Sequence, residues 1–289
     1  MFDPPHIAPP PDATSLIADA VEAIGQPAFL PALARLCETA SGHTSTFIMA
    51  CCPDAPPLQV YDNLAPDEIG NTITPYLDFA YLLDPFYTLF TRGIGDAVVS
   101  LSDCAPDDFK RSDYFRTFYA DTGLFDEISL FVRFPNGYAL MLSLGSRDRG
   151  FALSPEGRAA LGNLLPVICA LCRRHWPKIE ACSPPRGGRW GLHLEKAFDL
   201  FGSSVLSTRE TEITHLILRG HSSKSIAREL GNSPETVKVH RKRIYAKLDI
   251  ASQGELFAMF LDALGRTPPN AHTDPLTYLD RRAAARDIG

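Results

Sequence analysis

The 289 residues suffice for two domains of ordinary size, and a chain that is 45% hydrophobic and 21% charged is neither disordered nor fibrous. The net charge of −6 is unevenly distributed. Residues 1–202 carry 15 Lys and Arg against 24 Asp and Glu, whereas residues 203–264 carry 9 against 7, so only the C-terminal part is suited to contact phosphates.

No apolar run is long enough to span a membrane and the N-terminus lacks an export signal, so we expect a cytoplasmic protein without a membrane partner.

The N-terminal part of the chain predicts a domain in which helices and strands are mixed. Residues 1–11 are rich in proline and are expected to form a disordered arm outside the fold. Apolar residues at helical spacing predict two helices between residues 12 and 40. Short strands are expected at 44–51 and 57–61, and the aromatic-rich residues 68–89 are expected to be partly helical.

The clearest hairpin of the sequence lies further along the chain. Two apolar runs, 128–134 and 138–144, flank the dipeptide Asn136-Gly137, which suits a tight turn between strands. The residues from 154 to 174 begin with a Ser-Pro-Glu cap and continue as a long amphipathic helix. These elements together predict an α+β domain over residues 12–181.

The composition then changes, and a second domain follows. Residues 182–202 begin with a stretch rich in Pro, Gly and Arg, which predicts a linker. Residues 203–264 predict a compact helical module, and residues 265–289 form a tail that starts with another Pro-rich break.

Short helices separated by tight turns make up the module. Ser207 and Glu210 have the spacing of a capping box at the start of its first helix. Gly220 is placed to end that helix, and a second short helix follows. Ser233 and Pro234 then begin a third helix that is expected to reach residue 248.

The third helix concentrates positive charge, since it carries five Lys and Arg residues against the single Glu235. An isolated basic helix is more often a solvated face than a binding surface. Here, however, two short helices are joined by a tight turn and the second of them is strongly basic. This is the geometry by which a helix-turn-helix places its recognition helix in the major groove of DNA.

The run of residues 206–250 resembles the DNA-binding domain of LuxR-type regulators over its whole length. The matching parts are the Leu-Ser-Thr-Arg-Glu opening, the glycine turn, Ile-Ala-Arg-Glu-Leu, Ser-Pro-Glu-Thr-Val-Lys-Val-His and Ile-Tyr-Ala-Lys-Leu. The resemblance implies an all-α domain of four helices and a transcriptional regulator that is not an enzyme.

The resemblance also implies roles for individual residues. Lys238, Val239 and Lys242 would face the groove, and Glu210 would have a structural role. The candidates for phosphate contact are Lys224, Arg241 and Lys247. The complete set of DNA-binding candidates is Lys224, Thr236, Lys238, Val239, Arg241, Lys242, Arg243 and Lys247.

The fourth helix of the family corresponds to residues 252–264. Its apolar face, formed by Leu256, Phe257, Met259 and Phe260, either forms a dimer contact or packs into the core, and the sequence leaves both open. A homodimer would place two recognition helices on half-sites about one helical turn apart. The expected partners are therefore a second copy of the chain and double-stranded DNA with a palindromic operator, with RNA polymerase as a further partner.

The N-terminal domain resembles the autoinducer-binding domains of quorum-sensing LuxR-type regulators. The resemblance rests on residues 75–86, PYLDFAYLLDPF, which match the Tyr-rich helix ending in Asp-Pro of those domains. It implies an α/β/α sandwich, a sensor domain comparable to the GAF and PAS types, in which Asp84 accepts a ligand amide hydrogen. The candidate ligand-binding residues are Tyr76, Tyr81, Asp84, Phe86, Tyr87, Phe115, Tyr119, Phe125 and Ser129.

The tryptophans depart from that family pattern, because Trp176 and Trp190 are the only two and both lie outside the expected pocket region. We therefore expect a small-molecule effector other than an acyl-homoserine lactone, held in an aromatic cavity. The alternative is a ligand-independent regulator whose N-terminal domain is a dimerisation or protein-interaction module.

Other motifs give no indication of catalysis or of a cofactor. A phospho-receiver needs acidic residues after its strands, and residues 44–51 and the segments that follow lack such a set. Cys169 and Cys172 lie one helical turn apart without a second such pair, which favours packing over a metal site, and the odd total of seven cysteines favours a reducing compartment. Gly93 and Gly95 lack the third glycine of a dinucleotide site. We expect no catalytic residues, metal or cofactor.

Overall fold

The computed structural model describes residues 13–53, 55–65, 73–177, 189–268 and 271–279. The arm predicted at residues 1–11 lies outside this part of the chain. The chain divides into two compact units. The first consists of Met1–Leu77, Thr88–Cys104 and Thr122–Pro184, and the second consists of Asp78–Tyr87, Ala105–Asp121 and Pro185–Gly289.

A five-stranded antiparallel sheet is the framework of the first unit. Its strands are β1 Ser45–Cys52, β2 Ala55–Asp62, β3 Ala97–Ser100, β4 Asp126–Arg133 and β5 Ala139–Ser146. They are arranged in the order β2-β1-β5-β4-β3. The helices of the N-terminal half are α1 Ala13–Glu22, α2 Phe29–Ser41, α3 Thr74–Asp78, α4 Pro85–Thr91, α5 Leu101–Cys104 and α6 Pro155–His175.

The hydrophobic core of the first unit lies where α1, α2 and α6 cover the sheet. Ile48 of β1 is paired with Leu142 of β5, and both side chains are completely buried. They belong to one cluster with Leu33 of α2 and Leu161 of α6. This burial accounts for the apolar runs from which the strands were predicted, and it confirms an α/β domain with an antiparallel sheet.

The hairpin predicted at Asn136-Gly137 is present between β4 and β5. Arg133 and Ala139 form the last pair before the turn. Gly137 has φ +84°, a left-handed conformation that favours glycine, and its N–H donates to the carbonyl of Phe134 at 3.1 Å. The predicted capped helix is also present as α6, which follows directly on this hairpin.

The second unit contains the C-terminal helices. They are α7 Arg189–Leu200, α8 Thr208–Leu218, α9 Ser223–Glu229, α10 Pro234–Leu248 and α11 Gln253–Arg266, followed by the 3-10 helix Pro275–Tyr278. The same unit includes shorter turns of helix from the N-terminal half, namely Ala80–Leu83, Phe109–Arg111 and Phe115–Tyr119. β3, α5, Phe109–Arg111 and Phe115–Tyr119 were not predicted from the sequence, whereas Ala80–Leu83 lies within residues 68–89, which were expected to be partly helical.

Helix α7 occupies much of the region expected to be a linker, residues 182–202, of which residues 182–188 lie outside the described part. The prediction followed the Pro, Gly and Arg at the start of this region. The apolar spacing of Leu194, Ala197, Phe198 and Phe201 is that of an amphipathic helix, and the last three side chains are buried. Residues 189–200 therefore form part of the helical domain.

The apolar face of α11 packs into the core of its own chain. Leu256, Phe257 and Phe260 are buried. The ring of Phe260 lies edge-on to Phe198 at 5.6 Å and to Phe201 at 5.3 Å between centroids. Of the two roles that the sequence left open for this face, core packing is the one that these contacts show.

Residues 271–279 of the tail also pack onto the helical domain. The Asp274 carboxylate accepts hydrogen bonds from the backbone N–H of Gly202 at 2.9 Å and of Ser204 at 2.8 Å. Leu276, two residues further on, is buried. This part of the tail therefore fixes the turn that precedes α8.

Among the described residues, none of the helices is both long and apolar enough to cross a membrane.

Candidate DNA-binding surface and effector residues

Each helix of the helix-turn-helix begins at a serine whose side chain caps it. The Ser207 hydroxyl and the Glu210 side chain form the predicted capping box at the start of α8. The Ser222 hydroxyl accepts the N–H of Ser225 at 3.2 Å at the start of α9. The Ser233 hydroxyl accepts the N–H of Thr236 at 3.1 Å at the start of α10. These caps fix the helix boundaries locally.

The turn between α8 and α9 depends on glycine. Gly220 has φ +89°, and its N–H donates to the carbonyl of Ile217 at 3.0 Å. Other residues rarely adopt this conformation. The turn brings Ile226 and Ala227 of α9 into the core, where both are buried. The glycine turn and these two buried side chains thus contribute to the direction of α9 relative to α8.

Helix α10 has one buried face and one exposed, basic face. Val237, Ile244 and Leu248 are buried. Val239 is 51% exposed, so this face carries an apolar side chain among its lysines. The DNA-binding candidates that the structure leaves exposed are Lys224, Thr236, Lys238, Val239, Lys242, Arg243 and Lys247. The exposed face can therefore present both charge and an apolar contact to a partner.

Lys247 has a partner within the domain. Its ammonium lies 2.7 Å from Oε2 of Glu210, whose side chain is only 5% exposed. Hydrogen bonds from Lys247 and Ser207 lower the pKa of Glu210 to about 2. The pair joins the start of α8 to the end of α10, which gives Glu210 the structural position that the resemblance implied.

Arg241 is also engaged within the domain. Its guanidinium donates to the Tyr245 hydroxyl at 3.2 Å and to the side-chain carbonyl of Gln253 at 3.1 Å. These bonds connect α10 to the start of α11. Arg241 and Lys247 therefore hold α10 within the domain, and any phosphate contact by either side chain would compete with these bonds.

Comparisons with known proteins agree with this geometry. The family described as "Bacterial regulatory proteins, luxR family" matches residues 204–260. An HTH-type transcriptional regulator in the exeN 3′ region of Aeromonas salmonicida is 32% identical over 190 residues, which cover 64% of this chain and 96% of that protein. The chain belongs to the luxR family of bacterial regulatory proteins. It is a DNA-binding transcriptional regulator, as its sequence predicted.

Two further proteins resemble this LuxR-family regulator. The monoamine regulon transcriptional regulator of Klebsiella aerogenes is 27% identical over 186 residues, which cover 64% of this chain and 71% of that protein. The crystal structure of the VqsR LBD domain from Pseudomonas aeruginosa superposes with a TM-score of 0.50 and 24% identity, covering 57% of this chain and 97% of that chain. The latter shows a shared fold.

Several of the candidate ligand-binding residues of the LuxR-family regulator lie in its second unit. The rings of Tyr81 and Tyr87 meet edge-on with centroids 4.8 Å apart. Asp84 is buried, and its carboxylate accepts the N–H of Phe86 at 2.8 Å, which caps the start of α4. The Asp84-Pro85 dipeptide that was singled out in the sequence therefore marks the start of a helix. Asp84 has this capping role independently of any contact with a ligand.

Two more candidates of the second unit, Phe115 and Tyr119, stack on each other with centroids 5.3 Å apart. Both rings also contact Phe109, at 5.5 and 5.6 Å. Phe109 is 2% exposed and was not among the candidates. Its role as the centre of this aromatic group has no signal in the sequence beyond the local density of aromatic residues.

The remaining candidates lie in the first unit. The ring of Tyr76 is edge-on to Phe47 at 6.1 Å. Ser129 is completely buried on β4, with its hydroxyl 3.5 Å from that of Ser143 on β5. Phe125, in contrast, is 52% exposed, and the Arg149 guanidinium lies 5.2 Å from the centre of its ring.

Sequence reasoning missed polar contacts that join distant segments of the second unit. The Tyr87 hydroxyl donates to the Glu195 carboxylate on α7 at 2.6 Å, across 108 residues of sequence. The Ser222 hydroxyl donates to the Asp107 carboxylate at 2.5 Å, across 115 residues. Neither pair belongs to a local motif, so the sequence contained no signal for them.

Proposed function

We propose that this protein regulates transcription by inserting α10 into the major groove of DNA in the cytoplasm, with the exposed face of α10 reading bases. The observation that carries the proposal is the combination on one face of exposed Lys238 and Lys242 with Val239, which is 51% exposed. Lysines supply hydrogen bonds to guanine and contacts to phosphates, and an apolar side chain can contact the methyl group of thymine. Lys224 of α9 is placed to contact the backbone, because the first helix of the pair crosses it.

The test uses the full chain and a duplex selected from a randomised library by the wild-type protein. We expect Lys238→Ala and Lys242→Ala each to weaken binding by about tenfold or more, since a specific base contact contributes about 1–3 kcal/mol. Lys196→Ala, which removes an exposed lysine from α7, is the matched control and is expected to bind like the wild type. Equal affinities for all three variants would contradict the placement of α10.

We further propose that a small molecule controls this activity by binding among the aromatic residues predicted as its site. The support is the burial of Tyr81, Asp84 and Phe86 and their position in a segment rich in aromatic contacts. An aromatic surface with few polar groups is the usual construction of a site for a small ligand. The effector must bind one arrangement of the protein better than the other, since equal affinity shifts nothing.

Native mass spectrometry of protein purified from its own source tests this second part. A bound small molecule whose retention is weakened by Asp84→Asn supports an effector. A protein that carries no small molecule from its source, and that none of a panel of metabolites stabilises, favours the ligand-independent dimerisation or interaction module.

The assembly completes the proposal. We expect a homodimer on a palindromic operator, because two recognition helices then meet two equivalent half-sites. Regulation follows from contact with RNA polymerase or from occlusion of its site. The mass of the complex with the selected duplex distinguishes one bound chain from two.

A further inference from the structure

The helical domain of the chain extends beyond the part that matches the family. The match covers residues 204–260, whereas the domain also contains α7 before them and the 3-10 helix Pro275–Tyr278 after them. This short helix packs against both α7 and α11, and its residues Pro275 and Leu276 are buried. We refer to residues 271–279 as the C-terminal segment. Because the segment contacts helices at both ends of the matched module, it can influence how that module is arranged.

Asp274 joins the C-terminal segment to the turn between α7 and α8. Its Oδ1 atom accepts the N–H of Gly202 at 2.9 Å, and its Oδ2 atom accepts the N–H and the hydroxyl of Ser204 at 2.8 and 2.6 Å. Oδ1 also accepts the N–H of Leu276 at 3.0 Å, which fixes the carboxylate within its own segment. Asp274 is only 4% exposed, and a buried carboxylate is costly unless hydrogen bonds satisfy its oxygens. These bonds therefore hold the turn in one position relative to the segment.

The turn that Asp274 holds leads directly into α8. Gly202 has φ +88°, a conformation that favours glycine, and its carbonyl accepts the N–H of Leu206 at 2.8 Å. A Cβ atom on Gly202 would come within 2.8 Å of Cδ1 of Leu206, so this side chain packs directly on the turn. Ser207, the next residue, begins the capping box of α8. A displacement of residues 202–204 would therefore be transmitted to the first turn of α8.

The start of α8 is joined in turn to the recognition helix. Oε2 of Glu210 accepts the N–H of Ser207 at 2.8 Å, and the same oxygen accepts a hydrogen bond from the Lys247 ammonium at 2.7 Å. Lys247 lies in the last turn of α10. A continuous path of hydrogen bonds and neighbouring residues therefore runs from Asp274 through the turn and Glu210 to α10.

We propose that Asp274 is a positioning residue for DNA recognition, which holds the turn before α8 so that the exposed face of α10 meets the bases in the correct orientation. Asp274 is buried and acts without contacting DNA. The proposal rests on the proposed function of α10 and assigns part of its specificity to a residue outside the matched module. Hydrogen bonds to base edges weaken steeply with misalignment, whereas the attraction between lysines and phosphates decreases gradually with distance. A displaced α10 should therefore lose discrimination between sequences before it loses general affinity for DNA.

The test measures the affinity of the full chain for the selected duplex and for a duplex of the same length with a shuffled sequence. Asp274→Ala leaves the N–H groups of Gly202 and Ser204 without their acceptor. We expect it to weaken binding to the selected duplex about tenfold, the size of one base contact, and binding to the shuffled duplex at most about twofold. Asp262→Ala, which removes an exposed carboxylate from α11, is the matched control for the change in charge and should bind both duplexes like the wild type.

Asp274→Asn keeps the test decisive if the alanine variant fails to fold. Its amide oxygen can still accept hydrogen bonds on one side, whereas its amide nitrogen cannot accept those on the other. We expect the loss of specific binding to lie between that of the wild type and that of Asp274→Ala. Each affinity is measured at a temperature at which circular dichroism shows the variant to be folded.

A double-mutant cycle tests the path from Asp274 to α10. Glu210→Gln weakens the bond to Lys247 without removing a residue that faces DNA. If both residues act along one path, Asp274→Asn combined with Glu210→Gln should weaken specific binding by less than the product of the two single effects. A combined effect equal to that product would show independent roles and overturn the proposed path.

The two duplexes together separate a displaced helix from a general loss of folded protein. Unchanged binding of the selected duplex by both Asp274 variants would overturn the proposal, and so would an equal loss on both duplexes. If Lys238→Ala still lost specific binding in either case, the proposed function would stand and only this inference would fail. If Lys238→Ala bound normally, both would fail.

Discussion

The helix-turn-helix of the second unit and the sheet of the first unit are stabilised by contacts of different range along the sequence. In the second unit, α8, α9 and α10 each begin at a serine that bonds an N–H three residues later. In the first unit, the central strand pair joins residues as distant as Ser45 and Gly145. The DNA-binding motif is thus specified largely by adjacent residues, whereas the sheet requires the closure of long loops. We therefore expect the loss of a buried side chain, a change of pH or the loss of a helix cap in the second unit to change the stability of that unit more than the stability of the first.

The largest effect is expected from the aromatic core of the second unit. Phe260→Ala removes a completely buried ring that contacts Phe198 and Phe201, and should lower the free energy of unfolding by about 3–5 kcal/mol. Phe125→Ala, which truncates a ring that is 52% exposed, is the control and should change it little.

Hydrogen exchange measured by mass spectrometry locates the effect of Phe260→Ala. Peptides of α8 should lose protection while peptides of β5 retain it, if the units unfold separately. Loss of protection in both at the same denaturant concentration would show that the units unfold as one, and the comparison would then fail.

The next effect is a dependence of the second unit on pH. Burial, and to a lesser degree Arg219, lowers the pKa of His215 on α8 from 6.5 to about 4. Since the fold favours the neutral ring, this contribution is fully present above the unfolded pKa and is lost as the pH falls from 6.5 towards 4. Between pH 7 and pH 5 the loss should be about 2 kcal/mol.

Protection of α8 peptides against hydrogen exchange, corrected for intrinsic rates at each pH, measures this loss. His215→Gln should reduce the difference between the two pH values, whatever it does to the stability at pH 7. His272→Gln, which replaces an exposed histidine, should leave the difference as in the wild type. A pH dependence that survives in His215→Gln would assign it to another group.

The smallest effect tests the local caps. Ser233→Ala removes the acceptor for the Thr236 N–H and should destabilise α10 by about 1 kcal/mol. Ser233→Asn keeps a capping oxygen and should restore most of the loss. The stability of the full chain in urea measures both variants; equal stabilities of Ala and Asn would show that the cap does not determine where α10 begins.

The range of the contacts also explains which elements could be predicted. The capping box at Ser207, the turn at Gly220 and the hairpin at Gly137 are local features, so the residues that form them stand next to one another in the sequence. The contact of Asp107 with Ser222 spans 115 residues, and no periodicity indicates it. A linker is predicted at residues 182–202 because the Pro and Gly residues that precede α7 outweigh the regular spacing of its apolar residues.

The candidate sites follow the same division. The exposed face of α10 could be predicted because charge, cap and helical spacing coincide on one helix. The aromatic candidates are spread over both units, with Tyr76 and Ser129 in the first and Tyr81 and Phe115 in the second. The sequence names such residues by their type, while their grouping depends on the tertiary fold.

The structure of the full chain bound to its selected duplex tests the central claim most directly. The account predicts that α10 lies in the major groove, with Lys238 and Val239 at base edges and Lys224 of α9 near a phosphate. A complex in which DNA lies against another surface, with the exposed face of α10 in solvent, would contradict it.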